Sequence, residues 1–307
     1  MNLGLEVMTG AVRGGTSILY AGTGETFSER AGVINLGTEG CMLCGALAGY
    51  AVAAEVGNPW VGVLAAMVAG AALAAVHAFF VLWRGANQLA TGLVTMFLGL
   101  GLTSLFGTSY VSKTIDSIKV WEIPGLSSIP WIGEIFFKQD PLVYLSYVMV
   151  PVAAWVLFRS RWGVLLRASG ERAEVLATYG HPVRAIQATA VIVGGALSGI
   201  GGAHLSIAYT DAWFEGMSQG RGFIAAAVVI FAARNPIKVA AGAYLFGAAL
   251  ALSPALQTRD YSFKLNQFAL DAIPYVVTLL VLVILGKRRS AEAPEGLKKV
   301  FEIAPTG

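Results

Sequence analysis

Apolar residues run along this chain in long blocks. Blocks close to the roughly 20 residues that a hydrocarbon core requires occupy positions 5–27, 36–56, 59–83, 88–110, 141–158, 188–209, 222–233, 237–257 and 270–286. The block at 222–233 is too short to cross alone, and the first is interrupted by Arg13 and several glycines. Either is expected to be broken or re-entrant. One polar stretch interrupts the pattern: SERAGVINLGTEG, residues 28–40, sets Glu29, Arg30, Asn35 and Glu39 between apolar blocks.

Composition fixes the class. Of 307 residues, 56% are hydrophobic and 13% charged, against roughly 25% charged in soluble domains, and mean hydropathy is +0.68. The reading is an all-α, polytopic integral membrane protein with about 8 to 10 transmembrane helices. Its membrane domain covers 1–290, with a cytoplasmic loop at 159–187 and a cytoplasmic tail at 291–307.

Charge sets the orientation, because basic loops stay on the cytoplasmic side. With GKRR at 286–289 inside, alternation also places Arg84, the loop 159–187 and RNPIK at 234–238 inside. Counting Arg30 and the tail, 14 of the 21 basic residues fall inside and 6 outside, with Arg13 in the first block. The C-terminus is therefore expected in the cytosol. MNLGLEVMTG has Glu6 and no basic residue before Arg13, so the first helix is expected to stay rather than be cleaved as a leader. A net charge of +3, dispersed, gives no footprint for nucleic acid. Cys41 and Cys44 read as small apolar helix residues rather than a redox or metal pair.

The 37 glycines cluster inside the apolar blocks, as in GGALSGIGGAH at 194–204. Gly195 and Gly199 form a GxxxG pair that lets helix backbones approach closely. The loop RSRWGVLLRASGERAEVLATYGHPVRAIQ reads as a short helix: Ser169 or Gly170 at its start, Glu171 and Glu174 in the first turn, and Gly180 before His181 and Pro182 at its end. It is either an amphipathic connector or a docking helix for a cytoplasmic partner.

SERAGVINLGTEG, NQLATGL at 87–93, GERAEVLATYGHPVRAIQ, GGALSGIGGAHLS and GRGFIAAAVVIFAARNP follow one another in this order. Over about residues 8–286 the set resembles permease subunits of ABC importers for nucleosides and simple sugars, within the family of binding-protein-dependent permeases that serve branched-chain amino acids and ribose. The resemblance implies a type II-like importer fold in a bacterial inner membrane. It also implies a second homologous permease, a double-cassette ATPase holding ATP and Mg, and an extracytoplasmic substrate-binding lipoprotein. No GxxxxGK[ST] phosphate loop is present here. By the same resemblance, 170–180 is the coupling helix, with Gly170, Glu171, Glu174, Tyr179 and Gly180 as candidate ATPase contacts.

An ionisable group facing lipid costs about 3 kcal/mol on insertion scales, so Glu39 should point inward, into a buried pair or a pathway. Glu29, Arg30 and Asn35 are expected to satisfy backbone groups freed where glycines interrupt the helix. Asn87, Gln88 and Thr91 offer uncharged groups suited to a neutral polar solute, or to capping and interhelical bonds. Trp213 and Phe214 fit an interfacial aromatic belt. His77, His181 and His204 show no metal-ligand spacing, and no nucleophile, acid and base stand together. The rivals are a proton-coupled secondary transporter using Glu39 and a lipid-processing membrane enzyme.

Overall fold

A computed structural model describes residues 3–257, together with 272, 273, 276 and 294–297. The chain opens with α1 (Leu3–Arg30), α2 (Thr38–Val56), α3 (Pro59–Leu82) and α4 (Gln88–Gly107). A short extramembrane cap follows, holding strand β1 (Trp121–Glu122), α5 (Ile132–Phe136) and β2 (Lys138–Gln139), the two strands pairing antiparallel with Trp121 opposite Gln139. Then come α6 (Pro141–Arg159), α7 (Arg161–Glu171), α8 (Ala173–Thr178), α9 (Val183–Ala203), α10 (Arg221–Phe231) and α11 (Pro236–Gln257).

Helix starts follow from caps. Asn58, Asn87 and Asp140 each accept backbone N–H groups of the turn they open, and proline stands at the first position of α3 and α6. Gly57, at φ +70°, closes α2.

Among the described residues six helices are long and apolar enough to cross a membrane: α2, α3, α4, α6, α9 and α11. α1 is a single 28-residue helix, about 42 Å long at 1.5 Å per residue. Arg13 and the glycines do not break it, contrary to expectation; Gly15 and Gly24 instead lie against the backbones of Ala243 and Gly194. α10 is the short helix that the 222–233 block foreshadowed. The expected total of about 8 to 10 spans also drew on 270–286, which falls almost wholly outside the described residues.

α9 is the centre of the bundle. Of its membrane window 72% is buried, against 28% for α4 and α6, which places those two at the periphery. Glycine makes the centre possible. A β-carbon on Gly199 would stand 2.1 Å from Ala66 O of α3, one on Gly195 2.5 Å from Gly70 O, one on Gly24 2.4 Å from Gly194 O, and one on Gly202 2.0 Å from Met42 O. Backbones of α1, α2 and α3 thus rest directly on α9, as the GxxxG reading anticipated. Past Ala203 the helix widens into a π-helical turn, His204–Tyr209.

Polar loops gather at the two ends. One end holds 31–37, 84–87, 160–182 and 232–235, tied by Gln88 to Gly32 O, Gln187 to Ala31 O and Arg30 to Arg234 O. At the other end Lys113 pairs with Glu55 at 2.6 Å, Ile118 N–H meets Ile207 O, and Arg13 donates to Ala208 O. Arg84, the loop 159–187 and RNPIK, assigned to the cytoplasm from their charges, therefore share one face, while GKRR at 286–289 lies outside the described residues.

Gly199→Leu should prevent α3 and α9 from seating, destabilise the protein by more than the about 1 to 3 kcal/mol of ordinary overpacking, and so lower the thermal midpoint in detergent. Gly101→Ala, where a β-carbon meets nothing within 4 Å, should leave it unchanged.

Candidate functional site

After Arg30 the chain does not leave for solvent. Residues 31–37 are mostly buried, and their backbone groups need partners that lipid cannot supply. Side chains from four helices provide them. The Glu25 carboxylate of α1 accepts the Asn35 N–H at 2.8 Å and the Thr38 hydroxyl at 3.1 Å. Gln88 of α4 accepts the Ile34 N–H at 2.9 Å and donates to Gly32 O at 3.3 Å. His77 Nε2 of α3 lies 3.0 Å from Ile34 O, a contact that needs the proton on Nε2. Gln187 of α9 donates to Ala31 O at 2.9 Å and Ser169 O at 3.2 Å. Within the loop, Asn35 Oδ1 accepts the Gly37 N–H at 3.0 Å.

The second interruption is α10. Its 11 residues span about 17 Å, roughly half a hydrocarbon core. The preceding loop folds back inward, burying Trp213, Met217 and Ser218. Glu39, in the first turn of α2, sits on the amino end of α10: it accepts from Ser218 Oγ at 2.6 Å, Gly220 N–H at 2.9 Å and Gly222 N–H at 2.6 Å. Gly220 has φ +80°, and a β-carbon on Gly222 would fall 2.5 Å from Glu39 Cα. The GRG sequence is thereby explained, one glycine for the turn and one for the contact.

The carboxyl end of α10 is held from the same stretch of chain. Ala233 and Arg234 carry φ +50° and +56°, strained for residues with a β-carbon. Arg30 donates to Arg234 O at 3.0 Å and Ala233 O at 3.1 Å, and the Arg234 guanidinium pairs with Glu29 at 2.7 Å, both side chains buried. An anion thus stands at the positive pole of the half-helix and a cation at its negative pole, each where the helix dipole favours it.

Beside this clamp lies an exposed element. Ser169 and Gly170 open no helix: they lie in the last turn of α7, which Ser160 caps by accepting the Gly163 N–H at 3.0 Å and which continues to Glu171. A break at Arg172 separates it from α8, and Gly180, at φ +80°, follows α8. Glu171, Glu174, Gly180 and Tyr179 are exposed, Tyr179 at 79%. Gly170 is buried, its α-carbon against the Arg30 carbonyl and Gly32.

A family model described as branched-chain amino acid transport system / permease component matches residues 7–285. The chain is 42% identical to a putative glucose ABC transporter permease protein, TsgC13, of Haloferax volcanii, over 92% of each chain. It is 32% identical to the nucleoside ABC transporter permease protein NupC of Lactococcus lactis, over 91% of this chain and 92% of the relative. It is 30% identical to the guanosine ABC transporter permease protein NupQ of Bacillus subtilis, over 91% and 90%. This chain belongs to that permease family. It is a multi-pass membrane subunit of an ABC transporter, with a transport rather than an enzymatic role.

In this permease the sequence-selected polar residues divide. Glu29, Arg30, Asn35, Gln88 and Glu39 all meet in the clamp and the loop it borders. Asn87 is exposed and caps α4, while Thr91 is half-buried, its carbonyl accepting the Thr95 hydroxyl at 2.8 Å. Trp213 is no belt residue: it is 3% exposed and packs on Gly107. Glu25, Arg234 and Ser218 escaped notice. Glu25 sits one turn before Glu29, a spacing that marks one helix face, and Arg234 offered Glu29 the opposite sign. At the other end a second buried contact joins His204 Nε2 to Asp140 Oδ2 at 3.5 Å. Among the described residues no group of three His, Cys, Asp or Glu is placed to hold a metal.

Glu29→Gln leaves Arg234 buried without its counter-charge and should cost about 3 to 5 kcal/mol in denaturant unfolding. Glu29→Gln with Arg234→Gln should recover part of that loss, giving a coupling energy well above zero. Strictly additive losses would show that the pair does not hold the clamp.

Proposed function

We propose that this permease forms one half of a translocation pathway that moves a nucleoside, or a related small polar solute such as a simple sugar or flavin-like compound, into the cell. The other half is a second, homologous permease. A double-cassette ATPase, binding ATP and Mg, drives the pair, and an extracytoplasmic lipoprotein delivers the solute. The face bearing α7 and α8 lies in the cytoplasm of a bacterial cell, as does the tail 291–307, and the membrane domain fills 1–290.

One observation carries this reading: an exposed element, α8 with Tyr179 and Gly180, stands on the face with the basic loops and connects by contact to the buried clamp. α8 continues into α7, whose last turn rests through Gly170 on Gly32. Gln187 ties Ala31 O to Ser169 O, and the loop leads to Glu39 and α10. A push on α8 by the closing ATPase therefore has a contiguous route to the half-helix. Names among the relatives support the solute class, two nucleoside permeases and one named for glucose. Asn87, Gln88, Thr91 and Glu39 are the polar groups offered to the pathway, where Asn87 also caps α4 and Gln88 and Glu39 also hold the 31–37 loop and α10.

The proton-coupled alternative is not favoured. Both Glu39 oxygens are engaged in holding the amino end of α10, and the relatives are ABC transporter permeases.

Glu174→Trp and Gly180→Trp should each lower solute uptake about tenfold or more and abolish stimulation of the ATPase, with the amount of folded permease in the membrane unchanged. Normal uptake in both variants would contradict the coupling role. Co-purification from native membrane should bring down a double-cassette ATPase and a second permease, and nucleoside should displace the ligand of the associated binding protein. Uptake by the chain alone in vesicles holding a proton gradient and no ATP would overturn the assignment.

A further inference from the structure

Far along the chain from α7, residues 294–297 return to the face that carries it. Pro294 is buried and Leu297 is 0% exposed, and the Leu297 N–H closes a turn onto Pro294 O at 2.9 Å. Between them Gly296 lies against two other glycines. A β-carbon there would stand 3.1 Å from Gly170 O and 3.4 Å from Gly32 Cα. One on Gly32 would stand 3.0 Å from Gly170 Cα and 3.7 Å from Gly296 Cα, and one on Gly170 2.3 Å from Arg30 O. Three backbones therefore meet with no side chain between them: the loop after α1, the last turn of α7 and the tail.

Next to this junction lies a cleft of about 450 Å³, lined by Ser169 to Val175, by Gln187 and by Glu295 and Gly296. The tail is thus one wall of the space into which the α7–α8 break opens. That break needs support. Arg172 has non-helical backbone, φ −144° and ψ 67°, and of the six residues of α8 only Leu176 is buried. One buried leucine is little apolar burial for an element that has to pass on a force.

We propose that Pro294–Leu297 is a brace: it wedges the Gly32–Gly170 contact from outside and limits bending at Arg172, so that displacement of α8 reaches the 31–37 loop instead of being lost at the break. The tail is then a working part of the coupling device. This inference rests on the coupling role given to α8 above.

Two variants test it, a chain ending at residue 290 and Gly296→Val, whose branched side chain cannot sit 3 Å or so from the Gly170 carbonyl. Trypsin cleavage after Arg172 is followed in each purified full-length or shortened permease, together with ATP-driven uptake in cells and co-purification of the ATPase. Both variants should be cut at Arg172 about tenfold faster and show reduced uptake while the ATPase still co-purifies. Unchanged cleavage in both overturns the brace whatever uptake does. Faster cleavage with undiminished uptake overturns its part in transmission. Should Glu174→Trp and Gly180→Trp leave uptake intact, the coupling reading fails by a result separate from the proteolysis, which needs no ATPase.

Discussion

A polypeptide inside hydrocarbon must satisfy every backbone N–H and C=O from within the protein, and an interrupted helix frees several of them at once. This permease interrupts its helices twice in one neighbourhood, at 31–37 and around α10. Each freed group costs several kcal/mol in apolar surroundings if left alone. The polar residues that look out of place in the sequence answer that demand. Glu25, Gln88, His77 and Gln187 serve the first break, and Glu39 and Arg30 serve the second.

The arrangement does more than satisfy valences. Because residues 29–39 reach both poles of α10, the half-helix and the turn between α1 and α2 form one mechanical unit. Strained backbone at Ala233 and Arg234 persists only while those contacts over-determine it. Such a unit shifts as a whole or not at all, which suits a part that must switch between two positions rather than deform continuously. Its lower surface touches α7 through backbone, at Gly32 and Gly170. No flexible side chain intervenes to absorb movement.

Much of this was legible in the sequence, for physical reasons that also explain the gaps. Length and apolarity marked the spans, since the bilayer imposes them locally, and the shortness of 222–233 pointed to a half-helix. Close glycine packing on α9 was visible in GGALSG. The helix read at 170–180 emerged as α8, starting later at Ala173, and α7 before it went unread, because Ser160 and Ser169 are equally good caps in isolation and only the end of α6 decides between them: Ser160 also donates to Val156 O at 2.6 Å. Ser169 instead bonds back to Leu166 O within the helix. Trp213 was taken for a surface aromatic because nothing local says that its loop re-enters the bundle. The partners of Glu39 lie about 180 residues away along the chain, beyond the reach of any periodicity.

The central claim, that Glu39 holds the amino end of the half-helix, is tested most directly by amide hydrogen exchange on the purified permease and its Glu39→Ala variant. The account predicts that the amides of Gly220 and Gly222 exchange far faster in the variant, with α9 amides near Gly199 unaffected. Equal protection of Gly220 and Gly222 in the two proteins would contradict it.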